Sequence, residues 1–105
     1  MIRMQPGPQI SVPTEEIARL CRKYRVRKLS FFGSVIRDDF RPESDVDVLV
    51  ELEPGASIGF IGLGRLEDEL ARVLGRKVDL VTAGGLSHYF RDEVLQQAMP
   101  VYDAA

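Results

Sequence analysis

Between Ser44 and Leu52 the chain alternates strictly. Val46, Val48, Val50 and Leu52 take one set of positions, and Asp45, Asp47, Leu49 and Glu51 take the other. Successive side chains of a strand point to opposite faces, so this spacing predicts a strand over 44–52 with an aliphatic face turned to a core. Pro54-Gly55 ends it. One such strand is useless alone: it needs partner strands and a layer to cover the aliphatic face, and the rest of the chain must supply both.

The partners are legible on either side. Thr14 reads as an N-cap, and Ile17, Leu20, Cys21 and Tyr24 recur at helical spacing, predicting a helix over 14–25 whose basic end suits the helix dipole. Residues 27–32, ending Leu29-Ser30-Phe31-Phe32, read as a strand broken by Gly33-Ser34. A helical turn over 34–38 and a loop over 39–43 follow. A helix over 57–74 buries Leu63, Leu66, Leu70, Val73 and Leu74. Gly62 and Gly64 weaken its start, and Gly75 stops it. Lys77–Val81 reads as a strand carrying Asp79, and Gly84-Gly85 as a turn. A last helix over 87–98 buries some of Leu86, Phe90, Val94 and Leu95, and 100–102 adds a short edge strand. The fold class is therefore α/β or α+β: one small mixed sheet flanked by helices. Residues 1–12, with Pro and Gly and no periodicity, read as a flexible tail, leaving 13–105 as a single domain.

Composition narrows the classes of function. A net charge of -2 argues against direct nucleic-acid binding. The basic run Arg19–Lys28 reads as solvated surface, with the first or last helix as a candidate partner surface. The single cysteine, Cys21, has no internal disulfide partner and sits in an apolar-periodic segment, so it reads as a small core residue in a reducing compartment. No signal peptide is apparent and no apolar run approaches the roughly 20 residues of a membrane span, so the expected location is cytoplasmic. With 105 residues the core is small, and a homo- or hetero-oligomeric partner could complete either the stability or the site.

Asp45 and Asp47 are two apart on the predicted strand, which places both carboxylates on one face. Two close anions repel. A cation between them removes the penalty, and an all-oxygen donor set suits Mg2+ or Mn2+. The bland alternative is a solvent-facing strand whose acids serve solubility. Upstream, Gly33-Ser34 follows a strand and opens a helical turn, where backbone N–H groups and the Ser34 hydroxyl can meet phosphate oxygens and glycine allows close approach.

Taken whole, the stretch Gly33-Ser34-x-x-Arg37-x-Asp39-x-x-x-x-Ser44-Asp45-x-Asp47-x-x-Val50 resembles the signature of the nucleotidyltransferase superfamily that includes DNA polymerase beta. It most resembles the minimal nucleotidyltransferases, or MNT proteins, which are usually paired with a HEPN-domain protein. The likeness extends over residues 14–102 in length and element order. It implies the polymerase-beta-like fold and a third carboxylate on a neighbouring strand, for which Asp79 is placed. It also implies two-metal chemistry: Mg2+ held by Asp45, Asp47 and Asp79, with ATP as nucleotide donor, Gly33 and Ser34 on its phosphates, and no protein nucleophile. Arg37 would contact phosphate or pair with Asp39 or Glu43. Ser44 would bond the loop backbone or cap the site. One departure is Asp38, which stands where the minimal family often has glycine and adds a negative charge near the expected triphosphate.

The resemblance further implies an antitoxin that neutralises a partner HEPN toxin by adding AMP to a toxin tyrosine. Two alternatives remain from the same residues: a non-catalytic antitoxin acting by complex formation, and a subunit of a small-molecule (antibiotic) adenylyltransferase. His88 reads as a surface or capping residue. Tyr89 and Tyr102 read as packing residues or as aromatic faces for a base.

Overall fold

The alternation at 46–52 governs the architecture. In the computed structural model of the protein, which describes residues 12–36, 41, 44–85 and 91–104, the chain runs α1 (Thr14–Lys23), β1 (Val26–Phe32), a 3-10 turn (Gly33–Ile36), β2 (Val46–Leu52), α2 (Gly59–Leu74), β3 (Val78–Thr82), a second 3-10 turn (Ala83–Gly85), α3 (Arg91–Gln97) and β4 (Met99–Asp103). The strands form one sheet in the order β3-β2-β1-β4. β1 pairs antiparallel with β2 and with β4, and β2 pairs parallel with β3, so the sheet is mixed, as expected. Parallel neighbours need a crossover, and α2 provides it.

Register follows from the buried face. Leu29 faces Val50 and Phe31 faces Val48 across β1–β2, while Val46 faces Val78 across β2–β3. These side chains pack with Ile17, Leu20 and Cys21 of α1 and with Leu66 and Leu70 of α2. Burying each large side chain contributes about 1.5–3 kcal/mol. Cys21 is fully buried, and burial pushes its thiol up to about 12, so it is an inert packing residue. The face shared by Asp47 is not simply solvated: Leu49 and its partner Ser30 are buried as well.

Several ends differ from the sequence expectation. Thr14 is the first helical residue rather than the N-cap. Pro13 holds the cap position with no side-chain bond, and its carbonyl accepts from Ile17 N at 3.0 Å. α1 stops at Lys23 because Arg25 turns into the left-handed region at φ 60, where a helix cannot continue. α2 starts at Gly59, later than the predicted 57, as its glycines foreshadow. Ser44 and Asp45 precede β2 instead of belonging to it. Leu95 is 41% exposed, while Val94 beside it on α3 is half-buried. The early part of the predicted last helix, with Leu86, His88, Tyr89 and Phe90, lies outside the described residues, as does the tail 1–11. β4 is longer than the predicted edge strand, and its Tyr102 packs against the core.

The basic run is indeed surface, and much of it is paired. Lys23 meets Glu69 at 3.2 Å, Arg25 meets Glu53 at 3.4 Å and Arg27 meets Glu51 at 3.0 Å. Such exposed pairs each contribute about 0–1 kcal/mol. The Tyr24 hydroxyl donates to Glu69, joining the end of α1 to α2.

Candidate active site

The parallel register sets Asp47 of β2 directly beside Asp79 of β3. Side chains at paired positions share a face, so two carboxylates from strands joined only through α2 meet at one place on the sheet. Asp47 is half-buried and Asp79 is exposed.

On the other side of β2, Asp47 pairs with Phe32, and β1 then turns at Gly33. Gly33 has φ +75, and a Cβ built there would overlap Asp47 Oδ2 and lie 3.2 Å from its Cγ. Glycine is therefore required twice over, by the backbone conformation and by the carboxylate against it. Within the fold, the group that approaches this glycine is the Asp47 carboxylate. Ser34 follows in the 3-10 turn, half-buried.

Asp45 stands just outside β2, between two anchored neighbours. Ser44 N donates to the Arg41 carbonyl at 2.9 Å, and Arg41 N donates to Ser44 Oγ at 3.0 Å, so Ser44 bonds the loop backbone. Val46 N donates to the Lys77 carbonyl at 2.9 Å. Arg37, Asp38, Asp39 and Glu43 lie outside the described residues. Among the described residues, no three Asp, Glu, His or Cys side chains are gathered as a ready-made metal cluster. What the backbone fixes is the Asp47–Asp79 pair, with Asp45 two residues before Asp47.

Three contributors escaped the sequence reading. The Lys77 carbonyl anchors Val46. Arg76 Nη1 donates to the Arg41 carbonyl at 3.5 Å. Glu67 Oε2 accepts from Leu80 N at 2.9 Å, tying α2 to the strand that carries Asp79. Backbone partners leave no pattern in a sequence. Only Glu67 carries a hint, as an acid on the flank of the α2 apolar stripe.

Among the described residues, a cavity lies elsewhere. A groove of about 660 Å³ runs between the end of α1 and α2, lined by residues including Tyr24, Ile58, Ile61, Arg65 and Arg72. None of the three aspartates reaches it. The sheet end is the better candidate for chemistry, because it converges carboxylates from separate strands on a backbone cradle, whereas the groove is an open furrow between helices.

Residues 15–99 match the family model of the nucleotidyltransferase domain. The chain belongs to the nucleotidyltransferase family. The protein adenylyltransferase MntA of Thermococcus cleftensis is 33% identical over 91 residues, which cover 87% of this chain and 90% of that one. Among solved structures, a toxin–antitoxin with AMP-PNP superposes at a TM-score of 0.71 with 23% identity, covering 88% of this nucleotidyltransferase and 74% of that chain. A tri-AMPylated Shewanella oneidensis HEPN toxin in complex with its MNT antitoxin superposes at 0.62 with 24% identity, covering 86% and 69%. Both carry the fold expected from the sequence. No helix among the described residues of this nucleotidyltransferase is long and apolar enough to cross a membrane.

Proposed function

We propose that this nucleotidyltransferase moves AMP from ATP onto a hydroxyl of a HEPN-domain toxin, in the first instance a tyrosine, and so acts in the cytoplasm as that toxin's antitoxin. The observation that carries the reading is the placement of Asp47 beside Asp79 with the Gly33 backbone pressed on Asp47. The named relative is a protein adenylyltransferase, and the two solved likenesses are toxin–antitoxin proteins, one with a nucleotide analogue and one with an AMPylated toxin.

The donors fit a divalent ion. They are all carboxylates, they come from one sheet end, and the missing Cβ of Gly33 leaves the space that the Asp47 carboxylate occupies. Asp45, Asp47 and Asp79 would hold two Mg2+ ions, with Mn2+ as a substitute of the same donor class. Bound there, the ions would neutralise the departing pyrophosphate and lower the pKa of the acceptor hydroxyl. The chain's own residues do the positioning. Gly33 and Ser34 take the β- and γ-phosphates, Arg37 adds a phosphate contact, and Ser44 keeps Asp45 in place. Asp79 is the exposed member of the pair, which supports entry of the acceptor on its side. The acceptor oxygen bonds to the α-phosphorus, the bond to the bridging oxygen breaks, pyrophosphate leaves and the hydroxyl proton passes to solvent. Positioning and charge neutralisation supply the rate, and no covalent enzyme intermediate is needed.

The test is incubation with α-labelled ATP and Mg2+, with and without the HEPN partner, for the wild type and the Asp45→Asn/Asp47→Asn double variant. Label on the partner that depends on the aspartates is the expected result. Tight binding of the partner by both forms with no label on it would replace catalysis by neutralisation through complex formation.

A further inference from the structure

α2 ends at Leu74, and Gly75 caps it in the left-handed region at φ +68. Gly75 N and Arg76 N both donate to the Ala71 carbonyl, at 2.8 and 3.2 Å. This abrupt stop delivers Arg76 and Lys77 to the head of β3. There the two residues grip opposite sides of Asp45. Arg76 Nη1 reaches the Arg41 carbonyl, which also accepts from Ser44 N, while Arg41 N returns a bond to Ser44 Oγ. The Lys77 carbonyl takes Val46 N. Ser44 and Val46 are the immediate neighbours of Asp45, and both ties lead to the segment that two residues later becomes Asp79.

We propose that Arg76 is a positioning residue for the carboxylate site: its guanidinium on the Arg41 carbonyl closes a clasp that sets where Asp45 stands relative to the Asp47–Asp79 pair. The inference rests on the metal-dependent reading given above and deepens it. β2 begins at Val46, so Asp45 has no strand ladder of its own to hold it. Val46 is fixed through Lys77; on the preceding side, among the described residues, the ties run through Arg41 and Ser44, and Arg76 joins them to the head of β3. Arg76 is half-buried, unlike a freely solvated arginine. A lysine there could keep one donor for the carbonyl without the guanidinium fork.

The experiment is a Mn2+ titration followed by electron paramagnetic resonance, with AMP-PNP present, on the wild type, Arg76→Ala, Arg76→Lys, Asp45→Asn and the Arg76→Ala/Asp45→Asn double variant, each with a thermal midpoint. Groups that orient ligands typically change metal affinity by 10–100-fold, so Arg76→Ala should weaken Mn2+ binding roughly 10-fold at an unchanged midpoint. Arg76→Lys should recover most of that loss. Because Arg76 acts through Asp45, removing it from Asp45→Asn should cost little more. Wild-type Mn2+ binding by Arg76→Ala overturns the clasp. So does an undiminished loss in the double variant, or a loss that follows a falling midpoint. A wild-type protein that binds no Mn2+ with AMP-PNP overturns the metal reading itself, and the clasp with it, which separates the two failures.

Discussion

Gly33→Ala adds one carbon atom, and the structure says where it goes. The new Cβ would overlap Asp47 Oδ2 while standing 3.2 Å from Cγ and 3.4 Å from Cβ of the same residue. Only the carboxylate end is in serious collision, so Asp47 must turn and carry its oxygen away by roughly 1 Å to regain contact distance. The backbone adds a second cost, since an L-residue at φ +75 is disfavoured by about 1–2 kcal/mol relative to glycine. A loss of 1–2 kcal/mol lowers the midpoint of a domain this size by roughly 5–15 °C. Activity should fall much further, because a ~1 Å misplacement of a catalytic group can cost about 100-fold. The assay pairs a circular-dichroism melt with α-labelled AMP transfer at a temperature well below both midpoints, where the folded fraction of the variant is near one. A variant that melts lower yet transfers label within a factor of about 3 of the wild type would refute the argument, because Asp47 would then be free to move without consequence.

Three further expectations follow from other parts of the fold. Leu66→Ala, in the centre of the α2 face packed on the sheet, should cost about 2–5 kcal/mol in a urea melt, with an unchanged m-value. Arg25→Gly should relieve the left-handed backbone at the α1–β1 turn but lose the Glu53 pair and stiffness in the unfolded chain. The net gain is about 0.5 kcal/mol by the same melt, and a loss above ~1 kcal/mol would show that the side chain matters more than the turn. The Tyr24–Glu69 bond should appear in the pH dependence of stability. Its hydrogen bond from Tyr24, aided by Lys23, holds the Glu69 carboxyl below its ordinary 4.5, so that contribution is present above this value and is lost as acid protonates the folded form. The same bond, with burial and the charge of Glu69, raises Tyr24 above its ordinary 10.0; the neutral phenol is favoured in the fold, and its contribution is lost as pH rises beyond that range. Tyr24→Phe should flatten both limbs in melts taken across pH 3–11, and unchanged limbs would assign them to other groups.

Local patterns predicted what local forces decide. β2 was legible because its alternation has a single consistent reading, and α2 because its leucines recur at helical spacing and Gly75 ends it. Gly33 was legible as a special position from the turn it opens, but its contact with Asp47 was not, since that carboxylate comes from a strand fourteen residues later. Asp79 illustrates the limit. Its strand can be read from Val78, Leu80 and Val81, but its place beside Asp47, and not beside Asp45 or Leu49, is a matter of register, settled by how Val46 and Val78 share the core. Thr14 misled because a residue with capping chemistry followed a proline whose carbonyl begins the helix one position earlier. Of the apolar candidates on the last helix, Val94 is half-buried and Leu95 is exposed, a choice that the direction of packing makes and composition does not. The ties from Arg76 and Lys77 to the chain around Asp45 were invisible, since both end on backbone carbonyls that every residue has.

The bond from Leu80 N to Glu67 bears on how copies of this chain behave in a crowded solution. β3 is an outer strand of the sheet, and an outer strand normally offers its unpaired N–H groups as a template on which another chain can lie down. Glu67 occupies one of those groups with a charged side chain that a visiting strand would have to evict. At the opposite border, Pro100 supplies no N–H at all. Both borders of the sheet are thus blunted against ribbon-like growth, which withholds the repeating ladder from which aggregates are built.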